Sequence, residues 1–227
     1  MQNPRPVSAF DIIGPIMVGP SSSHTAGAVR IGRIARTVLG GQPEEALIEL
    51  HGSFAETGRG HGTDLALVAG LLDLETDDPY IRDSLDLAAK AGMKIQFTVA
   101  DLGTDANPNS VRLTLQKDGR SVRLVGSSVG GGQVEICCIQ DYLVQFTGEN
   151  ETLLVVAEDR PGTINQVTGL LLEHRVNIAF LQVGRRKRGG EAAMVYETDN
   201  TIPPALVEAI EDFPWVRWVR EIPSVTG

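Results

Sequence analysis

The chain has 227 residues, of which 42% are hydrophobic and 22% charged, a balance typical of a globular protein with one large domain or two ordinary ones. Its formal charge of −9 is spread over both halves, which argues against general nucleic-acid binding, because phosphates attract lysine and arginine. No apolar run approaches the ~18 residues that cross a bilayer, and the N-terminus lacks a secretory pattern. We therefore expect a cytoplasmic protein that binds neither nucleic acid nor membrane.

A hydroxyl-rich stretch, the serine turn, runs from Gly19 to Gly27 and reads Gly-Pro-Ser-Ser-Ser-His-Thr-Ala-Gly. The apolar residues that follow recur at helical spacing up to Val38, so the stretch is predicted to start a helix. Amide groups at a helix start lack intrahelical partners and lie at the positive end of the helix dipole, which favours a bound carboxylate or phosphate. One Ser or Thr would be an ordinary N-cap, but three serines followed by His24 and Thr25 exceed what a cap needs.

A second loop is predicted at residues 58–64, after a strand at 46–51 and before a helix at 65–72. Its glycines allow close backbone approach to a ligand, and the candidate anion-binding residues are Gly60, His61, Gly62 and Thr63. A flexible glycine turn with Thr63 or Asp64 as the helix cap explains the same residues equally well. A third small-residue stretch at 126–132 is interpreted either as a bulged turn between strands or as a ligand loop.

Cys137 and Cys138 are adjacent, and the geometry of a trans peptide opposes a disulfide between neighbours. The chain has no other cysteine, no C-x-x-C spacing and four scattered histidines, so no metal site is assigned to it. We expect at least one of the two thiols to be buried in a strand at 134–139.

Residues 1–147 are predicted to form one α+β domain. Asp78 and Pro79 mark the start of a helix that ends at Gly92. A hairpin is predicted around residues 117–120, whose Asp-Gly pair is a strong turn signal. The predicted strands after this helix are 94–99, 111–116, 121–125, 133–139 and 142–146.

Residues 148–151 are predicted to be a linker to a second domain at 152–227, which follows the order βαββαβ. The basic run from Arg185 to Arg188 is typical of a solvated hairpin tip rather than a nucleic-acid patch. The predicted strands are 152–157, 178–185, 192–198 and 216–222, and the helices are 164–175 and 203–213.

Two resemblances follow from these motifs. The run Asp-Arg-Pro-Gly at 159–162, an amphipathic helix and then Val-Asn-Ile at 176–178 resemble an ACT domain, a ferredoxin-like module that binds amino acids, over residues 152–223. The N-terminal part resembles the beta-subunit family of bacterial iron-sulfur-dependent L-serine dehydratases. This second resemblance covers most of residues 8–147 and is carried by the Phe-Asp-Ile-Ile-Gly-Pro run at 10–15, the serine turn and the segment 52–64.

The dehydratase resemblance implies a lyase subunit that is not active alone. That family converts L-serine to pyruvate and ammonia, with a 4Fe-4S cluster on a separate alpha subunit. The resemblance therefore implies a heterodimer in which Ser22, Ser23, His24 and Thr25 face the partner's active site and hold the substrate carboxylate, with His24 as a proton carrier. Whether a monovalent cation assists, and which group is the catalytic base, stay open.

The ACT resemblance implies regulation by an amino acid, L-serine being the first candidate. The effector would lie at a homodimer interface, near Asp159, Pro161 and Gly162 of one chain and Asn177 and Ile178 of its neighbour. An alternative also stays open, in which the chain is a non-catalytic amino-acid-binding or oligomerising protein of serine metabolism. A free-standing phosphate-binding enzyme is disfavoured, because no nucleotide fingerprint of the required spacing is present.

Overall fold

The structure is a computed structural model that describes residues 15–226, so the motif at 10–15 lies outside the described residues except for Pro15. The helices of this range are α1 (Ala28–Leu39), α2 (Gly52–His61), α3 (Thr63–Leu71), α4 (Ser84–Lys90), α5 (Thr163–Glu173) and α6 (Pro204–Glu211). The strands are β1 (Glu45–Leu50), β2 (Lys94–Val99), β3 (Ser110–Lys117), β4 (Arg120–Gly130), β5 (Gln133–Ile139), β6 (Tyr142–Phe146), β7 (Glu151–Glu158), β8 (Ile178–Arg185), β9 (Glu191–Thr198) and β10 (Val216–Ile222).

The first six strands form a mixed sheet in the order β2-β1-β3-β4-β5-β6. β1 and β2 are parallel, and the chain crosses between them through α2, α3 and α4. The other neighbours are antiparallel. The turn between β3 and β4 has φ angles of 49° at Asp118 and 71° at Gly119, as a type I′ turn requires. The predicted hairpin is therefore confirmed.

Helix α1 lies at the centre of the N-terminal core. Ala28, Ile31 and Ile34 are fully buried, as their helical spacing predicts. α1 crosses α3 at a glycine, because a Cβ atom on Gly70 would lie 2.1 Å from the carbonyl oxygen of Val29. A side chain is excluded at this crossing, so glycine sets the distance between the two helices.

The last four strands form an antiparallel sheet in the order β10-β7-β9-β8. With α5 after β7 and α6 after β9, the chain follows the βαββαβ order of a ferredoxin-like fold. Leu153 and Val155 of β7 pack with Val167 of α5 and Leu206 of α6. The predicted fold class, an α+β unit followed by a ferredoxin-like unit, is confirmed.

The two sheets also share a core. Leu154 and Val156, which alternate with the residues under α5 and α6, belong to the cluster around α1 together with Val195 of β9. β7 is therefore covered on both faces, which explains its unbroken buried run. The predicted linker at 148–151 thus joins two units that pack directly against each other.

The predicted loop at 58–64 is wrong. α2 continues to His61, and only Gly62, with a φ angle of 71°, separates it from α3. Gly58 is buried in α2 next to Thr63, and this packing outweighs the cost of about 1 kcal/mol that a helical glycine carries. The tertiary contacts therefore override the local signal.

Two further predictions are corrected. Residues 126–130, which were predicted to be part of a turn or ligand loop, belong to β4, whose pairing with β5 is bulged. The helix predicted at 78–92 is a 3₁₀ turn at Pro79–Asp83 followed by the shorter α4. Asp78 is nonetheless the predicted cap, because its Oδ1 accepts a hydrogen bond from the Tyr80 amide at 2.8 Å.

The expectation of a buried cysteine is also wrong, since Cys137 is exposed and Cys138 is only partly buried. Cys137 lies on the strand face opposite the buried Val134 and Ile136, and the register shift of β5 against β6 between Ile136 and Cys138 takes Cys138 out of that buried row. The hairpin at 185–191 is confirmed and its basic residues are exposed, as predicted. Arg186 also pairs with Asp141 and lies over the Tyr142 ring. No helix within residues 15–226 is long and apolar enough to traverse a bilayer.

Candidate functional site

The serine turn is a π-helical turn at Ser22–Gly27 that runs into α1, so the predicted helix start is confirmed. Ser21 caps it from an extended conformation. Its Oγ accepts a hydrogen bond from the His24 amide at 3.3 Å, and its carbonyl oxygen accepts one from the Thr25 amide at 2.8 Å. Turns of this wide kind occur frequently at functional sites.

Three hydroxyls surround the His24 imidazole. Nε2 lies 3.1 Å from Thr57 Oγ1 and 3.4 Å from Ser53 Oγ, both on α2. Nδ1 lies 3.3 Å from Oγ of Ser21, on the turn itself. The ring therefore joins the serine turn to α2, and neither nitrogen is left without a partner.

Thr57 determines the tautomer that these contacts favour. Its hydroxyl donates to the Ser53 carbonyl oxygen at 2.9 Å, so its one proton is used and Oγ1 accepts from His24 Nε2–H. Nδ1 then carries the lone pair and accepts from the Ser21 hydroxyl. His24 is therefore neutral, and its unprotonated Nδ1 faces the Ser21 hydroxyl.

Two rings enclose the imidazole. The Phe54 ring lies edge-on with its centroid 5.3 Å away, and the His61 ring lies 4.8 Å away. His24 is only 9% exposed. Burial lowers its pKa, and the nearby His61 lowers it further, with a hydrogen bond to Ser53 acting in the opposite direction. Since the usual pKa of histidine is about 6.5, His24 is a neutral base at neutral pH.

Ser53 and Thr57 are functional candidates that the sequence analysis missed. Together with His61 they recur every fourth residue along α2, so all three lie on the helix face next to His24. His61 continues the row through a hydrogen bond from its Nδ1 to the Thr57 carbonyl oxygen at 3.0 Å. The spacing of these polar residues was a usable signal, but the three glycines around it favoured a loop.

The predicted residues of the serine turn differ in exposure. Ser22 and Ser23 are half-buried, whereas Thr25 is only 2% exposed. The Thr25 hydroxyl has no hydrogen-bond partner among residues 15–226 and packs against Gly19, where a Cβ atom would lie 2.1 Å from it. The hydroxyls open to a ligand are therefore those of Ser22 and Ser23.

The predicted residues of the glycine-rich segment are separated by the end of α2. His61 is exposed and faces His24, and Gly60 is exposed with open space beside it. Gly62 supplies the left-handed residue between the helices. Thr63 is fully buried, and its hydroxyl has no partner in the described part of the chain. The structure thus brings His61 to the serine turn and directs Thr63 inward.

The third small-residue stretch packs against the serine turn. Ser128 of β4 packs on Gly27, where a Cβ atom would lie 2.1 Å from the Ser128 Oγ. Next to it, Ser127 is hydrogen-bonded to Ser110 at 2.7 Å between the two hydroxyl oxygens. This stretch therefore holds the serine turn in place.

The described residues do not suit a resident metal cluster. Within residues 15–226 no group of three or more His, Cys, Asp and Glu side chains is arranged to hold a metal ion. The thiols of Cys137 and Cys138 contact backbone carbonyl oxygens instead, those of Val125 and Gln140. Partial desolvation nevertheless raises the pKa of both thiols, which disfavours the thiolate form that a metal requires.

Comparison with known proteins decides the family. The family model described as Serine dehydratase beta chain matches residues 8–136, and the model described as ACT domain matches residues 152–214. The chain is 40% identical over 215 residues to the probable L-serine dehydratase beta chain of Bacillus subtilis, covering 95% of this chain and 97% of that one. The chain belongs to the serine dehydratase beta chain family.

Two further relatives extend this result. The chain is 40% identical over 217 residues to the L-serine dehydratase beta chain of Peptoniphilus asaccharolyticus, covering 94% of this chain and 98% of that one. It is also 28% identical over 202 residues to the D-3-phosphoglycerate dehydrogenase of Methanocaldococcus jannaschii, covering 86% of this chain but 37% of that protein. A beta chain implies an alpha chain as partner, and an ACT domain points to amino-acid binding.

In the ACT domain, the predicted effector residues Asp159, Pro161 and Gly162 lie between β7 and α5. The Asp159 carboxylate accepts hydrogen bonds at 2.9 Å from both the Gly189 amide and the Arg185 guanidinium, and these bonds lower its pKa. Gly162, with a φ angle of 94°, precedes the first residue of α5. Asp159 therefore lies next to the end of β8.

The other two predicted effector residues, Asn177 and Ile178, lie at the start of β8. The Asn177 side-chain amide donates to Asp199 at 2.5 Å, and its backbone amide donates to the Asn200 side chain at 3.1 Å. β8 is eight residues long, so the two predicted groups lie about 23 Å apart at opposite ends of one strand. Within one chain the structure does not bring them together.

Proposed function

We propose that this chain is the beta subunit of an L-serine dehydratase and acts with an alpha subunit that carries a 4Fe-4S cluster. The elimination removes the Cα proton and the hydroxyl group of serine as water, and the aminoacrylate that forms hydrolyses to pyruvate and ammonia. Family membership over the full length of two beta chains supports this assignment. The cluster belongs to the alpha subunit in this proposal, because the described residues of this chain offer no set of ligands for it.

Ser22 and Ser23 hold the substrate carboxylate in this proposal. They are half-buried at the start of a helix, where hydroxyl groups and backbone amides favour a negative charge. His24 is too enclosed to be a direct ligand, and Thr25 holds the turn on Gly19 rather than offering its hydroxyl. A monovalent cation that assists the carboxylate remains an open part of this proposal.

His24 moves a proton through its hydroxyl partners. Its lowered pKa keeps the ring neutral and able to accept a proton at neutral pH. Ser21 Oγ accepts a proton from the substrate side as its own hydroxyl proton passes to Nδ1, which makes His24 an imidazolium, and the reverse transfer restores the neutral ring. The hydroxyl cage of His24 is the observation that carries this catalytic role.

The test compares two histidine variants in the reconstituted pair of subunits. His24→Ala should lower kcat by about 10²- to 10⁴-fold, the range of a lost proton carrier. His174→Ala, an exposed histidine at the end of α5, is the matched control and should leave kcat unchanged. Ser23→Ala should raise KM for L-serine more than it lowers kcat. Unchanged kcat and KM in His24→Ala, with a normal melting curve, would rule out this role.

The ACT domain is proposed to dimerise along β8 and to bind L-serine there. β8 pairs with β9 alone among the described strands and exposes Phe180, Leu181 and Val183. Antiparallel pairing of two such strands about a two-fold axis places Asn177 of one chain near Asp159 of the other. This pairing unites the two predicted effector groups, which a single chain keeps apart.

Calorimetry of the full-length beta chain with L-serine tests the effector site, with D-serine as the stereochemical control. L-serine should release heat and Asn177→Ala should abolish it, because the amide next to the effector is lost. Equal responses to the two enantiomers, or no response, would leave the domain a purely dimerising role.

A non-catalytic regulatory role is the second candidate. The D-3-phosphoglycerate dehydrogenase that matches 86% of this chain shows that a related unit occurs as part of a different enzyme. The same His24→Ala experiment separates the candidates, because a purely regulatory chain needs no proton carrier. We place either role in the cytoplasm, where free thiols such as Cys137 persist, with pyruvate available for gluconeogenesis.

A further inference from the structure

A cavity of about 580 Å³ lies where the two halves of the chain meet. Its walls come from the end of α1, the start of β4 and strand β10, and they include Val38, Leu39, Arg120, Trp218 and Arg220. This volume lies within the range of small-molecule sites, which favour junctions between domains. The cavity is therefore large enough for a small metabolite.

The charges around the cavity are unusual for a chain with a net charge of −9. Three arginines line it, and Glu211 is the single carboxylate among the lining residues. Arg217 is neutralised by Glu158 at 2.9 Å and by Glu191 at 3.1 Å. Arg120 and Arg220 form no ion pair with any described residue. The cavity therefore has two cationic groups in its wall that are not paired with a carboxylate.

Arg220 is held rigidly and is poorly solvated. Its guanidinium lies over the Trp218 ring, with 5.9 Å to the centroid, and packs on Gly40, where a Cβ atom would lie 3.2 Å from Nη2. One nitrogen donates to the Val219 carbonyl oxygen at 2.6 Å, but the buried Nε has no acceptor in the described chain. Burial and the nearby Arg120 lower the pKa of Arg220, and Glu211 acts in the opposite direction. An anion bound between the two arginines would offset the repulsion between them.

We propose that this cavity binds a small oxyanion, a carboxylate or a phosphate group, between Arg120 and Arg220. The guanidinium fork suits either group, because both present two oxygens in one plane. Ser121 adds a hydroxyl to the polar wall. Val38, Leu39 and Trp218 form an apolar wall on which the carbon part of a small organic acid packs.

The position of the cavity links the bound anion to the serine turn. Arg120 belongs to the first sheet and Arg220 to the ACT domain, so an anion between them ties the two halves together. Leu39 ends α1, whose other end continues into the turn that carries His24, about 18 Å away along the helix. An anion that stabilises this docking holds α1 in one position, and it therefore acts at a distance from the proposed serine sites.

The first experiment measures the melting temperature of the full chain with inorganic phosphate or with succinate, at constant ionic strength set by sodium chloride. We expect a saturable rise with at least one of them, and the one that acts identifies the chemical class. Arg120→Gln and Arg220→Gln should weaken binding by about tenfold or more, as expected for a lost charged hydrogen bond. Arg120 is exposed, so its replacement leaves folding intact.

Arg82→Gln is the matched control, since Arg82 is an exposed arginine without an ion pair in the described chain and lies outside the cavity. Arg82→Gln should leave the rise in melting temperature with the anion unchanged. Arg220→Lys should keep part of that rise. The proposal is overturned if neither anion raises the melting temperature beyond sodium chloride, or if both glutamine variants respond like the unchanged chain. Because the readout is binding, the outcome does not depend on dehydratase activity.

Discussion

The N-terminal unit and the ACT domain differ in which side chains they bury and which they expose. The N-terminal unit buries the polar ring of His24 and surrounds it with the hydroxyls of Ser21, Ser53 and Thr57. The ACT domain leaves the apolar Phe180 of its outer strand 45% exposed. Buried polar groups require their partners, whereas an exposed outer strand is free to change without loss of the fold. The contrast agrees with the catalytic role proposed for the N-terminal unit and the dimerising role proposed for the ACT domain.

The largest effect on stability is expected where α1 and α3 cross. Gly70→Ala places a Cβ atom 2.1 Å from a backbone oxygen and should lower the free energy of unfolding by about 2–3 kcal/mol. Gly169→Ala is the control in α5, where the Cβ atom meets no atom within 4 Å, and it should raise stability by about 0.5–1 kcal/mol. Urea denaturation of both variants tests the pair, and equal changes would contradict the contrast.

A smaller loss is expected when the hydroxyl cage is opened. Thr57→Val keeps the shape of the side chain but leaves His24 Nε2–H without its acceptor, which should cost about 1 kcal/mol and lower kcat of the reconstituted pair. Thr168→Val in α5 removes a hydroxyl that bonds only to the nearby Asn165 carbonyl oxygen, and it should change stability by less than about 0.5 kcal/mol. Similar losses of stability in the two variants would mean that the hydrogen bond from His24 to Thr57 does not stabilise the fold.

The pH dependence of stability also tests the burial of His24. Burial lowers the pKa of His24, so the unfolded chain takes up this proton at a higher pH than the folded chain. Stability therefore falls as pH decreases from about 7 to about 5, with a slope from this group of at most about 1.4 kcal/mol per pH unit. His24→Gln should flatten the slope in that window. Denaturation curves at several pH values measure it, and parallel curves would contradict the expectation.

The smallest effect on stability is expected on β8. Phe180→Lys replaces an exposed ring and should change the free energy of unfolding by less than about 0.5 kcal/mol. It should nevertheless convert a dimer of the beta chain into monomers, because charge on an outer strand opposes strand pairing. Sedimentation velocity gives the mass, with Leu172→Lys on the exposed face of α5 as control. An unchanged dimer would place the interface elsewhere.

Most strands were predictable from the sequence. β2, β5, β6, β8 and β10 have the predicted bounds, because alternating or continuous apolar residues between turn signals define a strand locally. α2 was missed for an equally local reason. Glycines at 58, 60 and 62 indicate a loop, and only the packing of Gly58 beside Thr63 makes a helix there.

Part of the candidate site was likewise predictable from the sequence, and part was not. The serine turn was predictable, because a cluster of hydroxyls before a helix is visible in the sequence. Ser53 and Thr57 were not identified, because their role depends on contacts with a histidine about thirty residues earlier. The partial exposure of Cys138 likewise depends on a bulge in the pairing of β5 with β6.

The amino-acid sequence alone determined the order of the strands, most of the helices, the two-part organisation and the family, since periodicity, turn residues and motifs are local properties of a chain. Tertiary structure alone decided that hydroxyls on α2 enclose His24, that β7 is covered on both faces, and that Arg120 and Arg220 meet at one cavity. These features depend on which distant segments pack together. Burial and hydrogen bonding across the fold set them, and no local pattern records such contacts.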